Sequence, residues 1–155
     1  MRQVVFVMVA ALAITGCAAQ PAHVQVPMAP DAASSRAAAP ESLRGTDWRF
    51  VDVEGTAVPE GVVATLRLRD GRASGKAGCN SYGASWEMSM DGGIRFGQTM
   101  STKMACMAPS GAMQVERGVF DVLQRAVRMH RDGEHLVLLD ASGQPLATLV
   151  PERGT

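Results

Sequence analysis

Apolar and polar residues alternate with a period of two along several stretches of the chain after residue 43. The stretch 64–69 has aliphatic residues on one side only, and the stretch 85–90 places Trp86, Met88 and Met90 on one face. This alternation is typical of a β-strand with one buried side. We therefore expect Trp86, Met88 and Met90 to face the core.

Turn signals separate these stretches at short and regular intervals, and each signal combines an acidic residue with glycine. They lie at 54–55, 70–71, 91–93, 132–133 and 140–143. Two later stretches, 134–139 and 145–150, are apolar on both faces, as in a strand that is covered by a helix or closed into a barrel. The rhythm predicts an antiparallel sheet of about seven or eight strands joined by short hairpins.

One segment, from Gly111 to Val127, breaks the period of two because its apolar residues recur at helical spacing. Ser110 immediately precedes this segment and is the expected N-cap of a helix. Gly118 lies inside the segment and costs the helix about 1 kcal/mol relative to alanine, which close packing would explain. The chain is therefore predicted to be mainly β with one helix.

The chain starts with a positive charge and an apolar run from Val4 to Ile14, which is too short to span a bilayer. Such a run is typical of a signal peptide, here residues 1–16. Residues 14–17 read Ile-Thr-Gly-Cys and resemble the lipobox of bacterial lipoproteins. The resemblance implies that Cys17 is acylated, with palmitate among its chains, and becomes the mature N-terminus. The alternative is an ordinary secretory signal cleaved near residue 18 or 19.

Two or three acyl chains on Cys17 would hold the protein on a membrane, whereas a single chain is marginal. Ala18 follows this cysteine instead of aspartate, which in lipoproteins implies the outer membrane, with the domain in the periplasm. Residues 17–42 are rich in alanine and proline and lack an apolar period, so we expect a tether that spans about 30 Å. The folded domain is expected at 43–151 and a tail at 152–155.

The charge balance and the motifs argue against two classes of function. The chain has 15 basic and 15 acidic residues, whereas a nucleic-acid binder needs a net basic surface that displaces counterions from phosphates. No nucleophile with a base, no paired carboxylates and no phosphate-binding glycine motif stands out. We therefore expect neither nucleic-acid binding nor enzymatic activity.

Four stretches of the domain carry a resemblance to a known family. They are residues 45–48, 75–83, 96–106 and 136–140. The domain resembles the META domain of HslJ-like bacterial lipoproteins, a family linked to heat or drug stress that has no established enzymatic activity. The resemblance implies a small antiparallel, barrel-like sheet with one helix. The matching motif positions are Gly78, Cys79, Asn80, Tyr82, Ser101, Thr102, Met104, Ala105 and Cys106.

Cys79 and Cys106 lie 27 residues apart and are the two cysteines that are left once Cys17 is acylated. Two cysteines in an oxidising compartment favour a disulfide, and the Cys-x-x-Cys spacing of redox catalysts is absent. We predict a structural bridge, with two free buried thiols or a catalytic or metal-binding thiol as the alternatives. Asn80 is expected to form hydrogen bonds within its own turn.

His130 and His135 flank a predicted two-residue turn at 132–133, which would place the two imidazoles opposite each other. Such a pair could hold zinc or copper, but no convincing third or fourth ligand is nearby in the sequence. The other interpretation is a solvated polar face. We expect no metal at this position and no cofactor in the domain.

Six methionines lie within 26 residues. Thioethers bind Cu(I), but methionines also fill irregular cores and line adaptable apolar grooves. We expect these methionine side chains to pack in the core. The alternatives are copper binding and a groove for a lipid, drug or partner peptide. The six residues are Met88, Met90, Met100, Met104, Met107 and Met113.

These features favour a monomeric, non-enzymatic and lipid-anchored module that faces the periplasm and supports the envelope under stress or drug exposure. Its partner is expected to be an envelope protein or a hydrophobic ligand. The alternative is a periplasmic chaperone for Cu(I) or zinc that uses the methionines or the pair His130 and His135.

Overall fold

The structure is a computed structural model that describes residues 43–153. The predicted signal peptide, Cys17 and the predicted tether lie outside the described residues. Along residues 43–153, no helix is long and apolar enough to cross a bilayer. The elements in chain order are β1 (Thr46–Val53), β2 (Thr56–Ala57), β3 (Thr65–Arg69), β4 (Arg72–Ala77), β5 (Asn80–Met88), β6 (Ile94–Phe96), β7 (Met100–Ser101), α1 (Ala112–Arg125), β8 (Arg128–Asp132), β9 (His135–Leu139) and β10 (Pro145–Pro151).

Eight strands form one antiparallel path in the order β6-β5-β4-β3-β1-β10-β9-β8. The two-residue strands β2 and β7 pair with β1 and β5. The two ends of this path, β6 and β8, lie next to each other. Gly93 and Arg128 form a β-bridge there, and the Ile94 amide donates to the Val127 carbonyl at 3.0 Å. The sheet is therefore a nearly closed barrel with one helix, which confirms the predicted fold class.

The core of the barrel consists of side chains from alternate strand positions. Leu66 and Leu68 of β3 are fully buried, whereas Arg67 and Arg69 are exposed. The helix α1 packs against β1, β4 and β6 and adds Val119 among its buried residues. Burying an aliphatic side chain of this size contributes about 1.5–3 kcal/mol, so this shared core stabilises the domain. The two strands predicted to be covered on both faces, β9 and β10, have one buried and one half-buried face.

Two predicted positions differ from the structure. Met90 is 92% exposed, so its predicted burial is wrong. The reason is that the β5–β6 turn begins early, since the Ser89 amide already donates across it to the Gly93 carbonyl at 3.0 Å. Ser110 is not the helix N-cap. Gly111 takes that position with a left-handed φ of 86°, and among residues 43–153 no side chain caps the helix.

Gly118 lies where α1 crosses β1. A methyl group at this position would come within 2.7 Å of Cγ1 of Val53. Carbon atoms in favourable contact are about 3.5–4.0 Å apart, so even alanine does not fit unless Val53 moves. Close packing of the helix on the sheet thus explains a residue that weakens the isolated helix.

Candidate functional site

Three segments of the domain meet at the start of β5. They are the β4–β5 turn, the helix α1 and the strap, which we define as residues 102–111 between β7 and α1. Asn80 forms hydrogen bonds to both the strap and the helix, so we name the meeting point the Asn80 junction. Its members are Cys79, Asn80, Thr102, Met104, Cys106 and Glu116.

Asn80 is 1% exposed, and both polar atoms of its side chain are fully used. Its Oδ1 accepts hydrogen bonds from the Thr102 hydroxyl at 2.7 Å and from the Met104 amide at 2.8 Å. Its Nδ2 donates to the Met104 carbonyl at 3.0 Å and to Glu116 Oε2 at 2.8 Å. The Asn80 backbone amide donates to the same carboxylate oxygen at 3.0 Å. Asn80 therefore joins sheet, strap and helix, and the prediction that it bonds within its own turn is wrong.

The turn before Asn80 is shaped by glycine and covered by a cysteine pair. Gly78 has a left-handed φ of 65° and packs directly on the Ala112 carbonyl, which leaves no space for a side chain. Because glycine adopts this conformation readily, the turn needs no support from the asparagine. The Cys79 and Cys106 sulfurs lie at bonding distance, with Cα atoms 5.7 Å apart, which is usual for a disulfide. This arrangement fits the predicted bridge.

Glu116 is the member of the junction that sequence analysis missed as a site residue. In the sequence it lies on the polar side of the predicted helix, and its partner Asn80 is 36 residues away. Carboxylates are common on solvated helix faces, so the helical pattern of the sequence does not indicate that Glu116 contacts Asn80. Only the packing of α1 against the β4–β5 turn brings the carboxylate to Asn80.

Tyr82 is a core residue of the motif. Its hydroxyl donates to the Thr65 carbonyl at 2.9 Å, and its ring meets the Phe120 ring edge to face with centroids 6.1 Å apart. Burial raises the pKa of the Tyr82 hydroxyl well above its usual range, so the side chain stays protonated. Tyr82 thus packs the space between the sheet and α1.

The other motif residues lie in β7 and in the strap, on the outer side of β5. Ser101 pairs with Tyr82 across β7 and β5. The Thr102 amide donates to the Ser81 carbonyl at 3.0 Å. Ala105 is exposed, between two attached residues of the strap. The structure therefore brings the motif residues together, with most of them supporting the strap.

The strap and its neighbours expose a group of methionine side chains. Met100, Met104 and Met107 are 77%, 55% and 98% exposed, and Met113 in the first turn of α1 is 37% exposed. We name these four residues the methionine surface. Of the six methionines expected in the core, Met88 packs against it. The expectation is wrong for the other five, because they lie on the strap, near its ends or in a turn outside the barrel wall.

The register of β8 and β9 differs from the prediction. His135 pairs with Asp132, and His130 pairs with Val137. The reason is that the two turn residues are 133–134 instead of 132–133, with Gly133 at a left-handed φ of 60°. The two imidazoles are diagonal neighbours, so the predicted facing pair is wrong. Within the described part of the chain, no group of three His, Cys, Asp or Glu side chains is placed to hold a metal ion.

A cleft of about 570 Å³ lies on the outer side of the barrel beside β7. Ser81, Gly83 and Ser85 of β5 form its floor, with Arg72 of β4 on one side and Met100 of β7 on the other. None of the described residues that line it is acidic. The cleft therefore offers hydroxyl groups and one cation next to the methionine surface.

The fold and the junction together define a small barrel with one helix and an external strap that is held by a cysteine pair and a buried asparagine. The sequence model of the META domain matches residues 41–152. The chain belongs to the META domain family, which confirms the resemblance of its motifs. This family is not a known enzyme family.

Two solved structures are similar to this chain. An NMR structure of a protein from Burkholderia xenovorans is 29% identical over 83% of this chain and 100% of its own, with a TM-score of 0.59. A second NMR structure is 19% identical over 73% of this chain and 94% of its own, also with a TM-score of 0.59, and supports the fold alone. A search of the curated proteins found no match.

Proposed function

We propose that this chain is a non-enzymatic, lipid-anchored module of the outer membrane whose domain faces the periplasm and binds an apolar segment of an envelope protein. The observation that carries the proposal is the exposure of Met100, Met104 and Met107 around one attached strap. Methionine is unbranched and polarizable, so it suits surfaces that adapt to apolar partners. Such a module would support the envelope under stress or drug exposure.

The attachment of the strap favours binding over chemistry. Asn80 holds the backbone of Met104 through both its amide and its carbonyl, and Cys79 holds Cys106. A fixed backbone lowers the ordering cost of binding, while the flexible thioether side chains adjust to the partner. A reaction centre would need polar atoms that are free to act, whereas those of the Asn80 side chain already have partners.

A partner at the surface is favoured over a hydrophobic ligand between the helix and the sheet. Within residues 43–153, Trp48, Phe50 and Leu123 are among the large side chains of the core that the sheet and helix share, and each is fully buried. Protein interiors are packed about as densely as organic crystals, so a ligand would have to displace such side chains. The methionine surface needs no such displacement.

A photo-crosslinking residue in place of Met107 should capture an envelope protein in living cells. The capture should disappear when Met100→Gln and Met104→Gln are added, because these changes remove the apolar contacts but keep the backbone. A crosslinker at Ser142, which is exposed in the β9–β10 turn, is the matched control and should capture nothing. Equal capture at Ser142, or capture that survives both glutamine changes, would contradict the proposal.

A second candidate function, a Cu(I) carrier, uses the same thioethers. Their exposure favours this metal over zinc, since His130 and His135 do not face each other and thioethers select Cu(I). Titration with Cu(I) separates the two candidates. Micromolar or tighter binding that is lost in the triple variant Met100→Gln, Met104→Gln and Met107→Gln would place copper transport first.

The Cys17→Ala variant should incorporate no alkyne fatty acid and should keep its signal peptide, because the acyl chains are expected on that cysteine. Gel fluorescence and the mass of the protein measure both effects. Ala18→Asp is the matched control, since it should keep the label but move the protein to the inner membrane. Equal label in wild type and Cys17→Ala would rule out the anchor.

A further inference from the structure

We propose that the outer face of β3, β4 and β5 docks on an anionic phospholipid surface, an inference that deepens the proposed lipid-anchored function and rests on it. Arg67, Arg69, Arg72 and Lys76 are exposed on this side of the barrel at alternate strand positions. We name these four residues the basic face. The inward positions of the same strands, such as Leu68 and Ala73, are fully buried, so the cations project from the wall into solvent.

The basic face has one sign of charge over most of its area. Asp47 of β1 contacts Arg69 at 2.8 Å. Glu87 is an exposed acid at the far end of β5, where it lies opposite Arg95 in the register of β5 and β6. Among the described residues, Arg67, Arg72 and Lys76 form no ion pair. The chain as a whole has equal numbers of acids and bases, so its other surfaces are correspondingly acidic. This separation of charge creates a local positive potential that attracts anions.

The strand register shows that the cations are crowded. Arg69 and Arg72 are direct cross-strand partners, and like charges in that position destabilise a sheet. Asp47 balances the charge of Arg69, and an anion beside Arg72 would balance the second charge. Ser85 and Ser81 on β5 are the neighbours of Arg72 and Lys76, so hydroxyl donors accompany the cations. Phosphate oxygens accept hydrogen bonds from both kinds of group.

The cleft beside β7 lies within this same face. Arg72, Ser81 and Ser85 line it, and its volume of about 570 Å³ is in the range of sites for small molecules. A phospholipid headgroup fits such a volume. The rim residue Met100 is 77% exposed and offers an apolar contact for the glycerol and the first methylenes. Lipid, with a phosphate next to an apolar chain, matches this combination better than a purely polar anion.

The described domain begins beside the basic face. The Gly45 amide donates to the Leu68 carbonyl at 2.8 Å, and Arg44 contacts Asp70 in the β3–β4 turn at 3.1 Å. Residue 43 is therefore near Arg69 and the end of β3. An acylated Cys17 upstream of this point would hold the domain within the span of the tether, about 30 Å from the membrane. This raises the effective concentration of the basic face at the lipid surface, and electrostatic attraction acts over about the last 8–10 Å at physiological salt.

Co-sedimentation with vesicles tests the proposal on the unacylated chain from Ala18 onward, which keeps every described residue. We expect binding to vesicles of equal parts phosphatidylglycerol and phosphatidylethanolamine, no binding to phosphatidylcholine vesicles, and loss of binding as salt is raised. The variant with Arg67→Glu, Arg72→Glu and Lys76→Glu should bind at least about 100-fold more weakly than wild type, because the loss of each cation weakens binding about fivefold.

The matched control is the variant with Arg117→Glu, Arg128→Glu and Arg153→Glu, which changes the net charge equally at exposed positions on other parts of the domain. It should bind like wild type, and thermal melting confirms that both variants are folded. Equal loss in the two variants would overturn the docking face, as would equal binding to neutral vesicles or no binding by wild type. Since this chain carries no lipid, these outcomes are independent of the Cys17 labelling that tests the anchor.

Discussion

Reducing the bond between Cys79 and Cys106 should lower the melting temperature of the domain by about 15–30 °C. The two residues are 27 positions apart, and a bond over that distance removes loop-closure entropy from the unfolded chain equivalent to about 3.5 kcal/mol. In a domain of roughly 100 residues, each kcal/mol corresponds to about 4–8 °C. Thermal melts followed by circular dichroism, with and without reductant, measure the difference.

Cysteine variants provide the controls for this experiment. Cys79→Ala should melt like the reduced protein, and adding Cys106→Ala should change little more, because both substitutions remove the same bond. In the unreduced wild type, neither Cys79 nor Cys106 should be alkylated, because both sulfurs are in the disulfide. Two alkylated thiols in the oxidised domain, seen by mass, would show that the bond is absent and that Cys79 is a free thiol.

Asn80→Leu should lower the free energy of unfolding by about 3–5 kcal/mol. The substitution removes four side-chain hydrogen bonds, each of which contributes about 1 kcal/mol, and it leaves partly buried partners such as the Met104 amide unsatisfied. A domain of this size has a total stability of about 5–15 kcal/mol, so the loss is a large fraction of it. Urea denaturation measures the effect.

Asn80→Asp is the sharper test, because it keeps the shape of the side chain but replaces a donor with an acceptor. The new carboxylate would face Glu116, which now accepts a hydrogen bond from Nδ2 at 2.8 Å, so the variant should be nearly as unstable as Asn80→Leu. Adding Glu116→Gln restores a donor and should recover part of the loss. Wild-type stability in Asn80→Asp would mean that the junction contributes little to the fold.

Sequence patterns predicted the barrel wall where a strand has one continuous buried face. Leu66 and Leu68 alternate with two arginines, and the hydrophobic effect allows only one orientation of such a strand. The same pattern does not show where a strand stops. Met90 keeps the period of two, yet the turn that begins at Ser89 places it in solvent.

The cysteine pair could be predicted by counting, whereas the rest of the site depends on contacts between distant segments. No local pattern links Asn80 to Glu116, because their contact exists only after α1 has packed against the turn. The exposed methionines were missed for a related reason. Composition reveals apolar side chains, but only the path of the strap along the outside of the barrel decides that Met104 and Met107 meet solvent.

The position of β10 in the sheet has a consequence for the order of folding. Among the strands within residues 43–153, β10 comes last in sequence, yet it lies between β1 and β9, and Leu149 pairs with Phe50 of β1. Pairings between distant parts of a chain form late, because closing a long loop costs entropy before any contact is gained. The barrel therefore cannot close until the end of the domain has been synthesised. A growing chain that lacks β10 therefore has β1 and β9 without their shared neighbour, and both strand edges remain unpaired until the last residues of the domain are made.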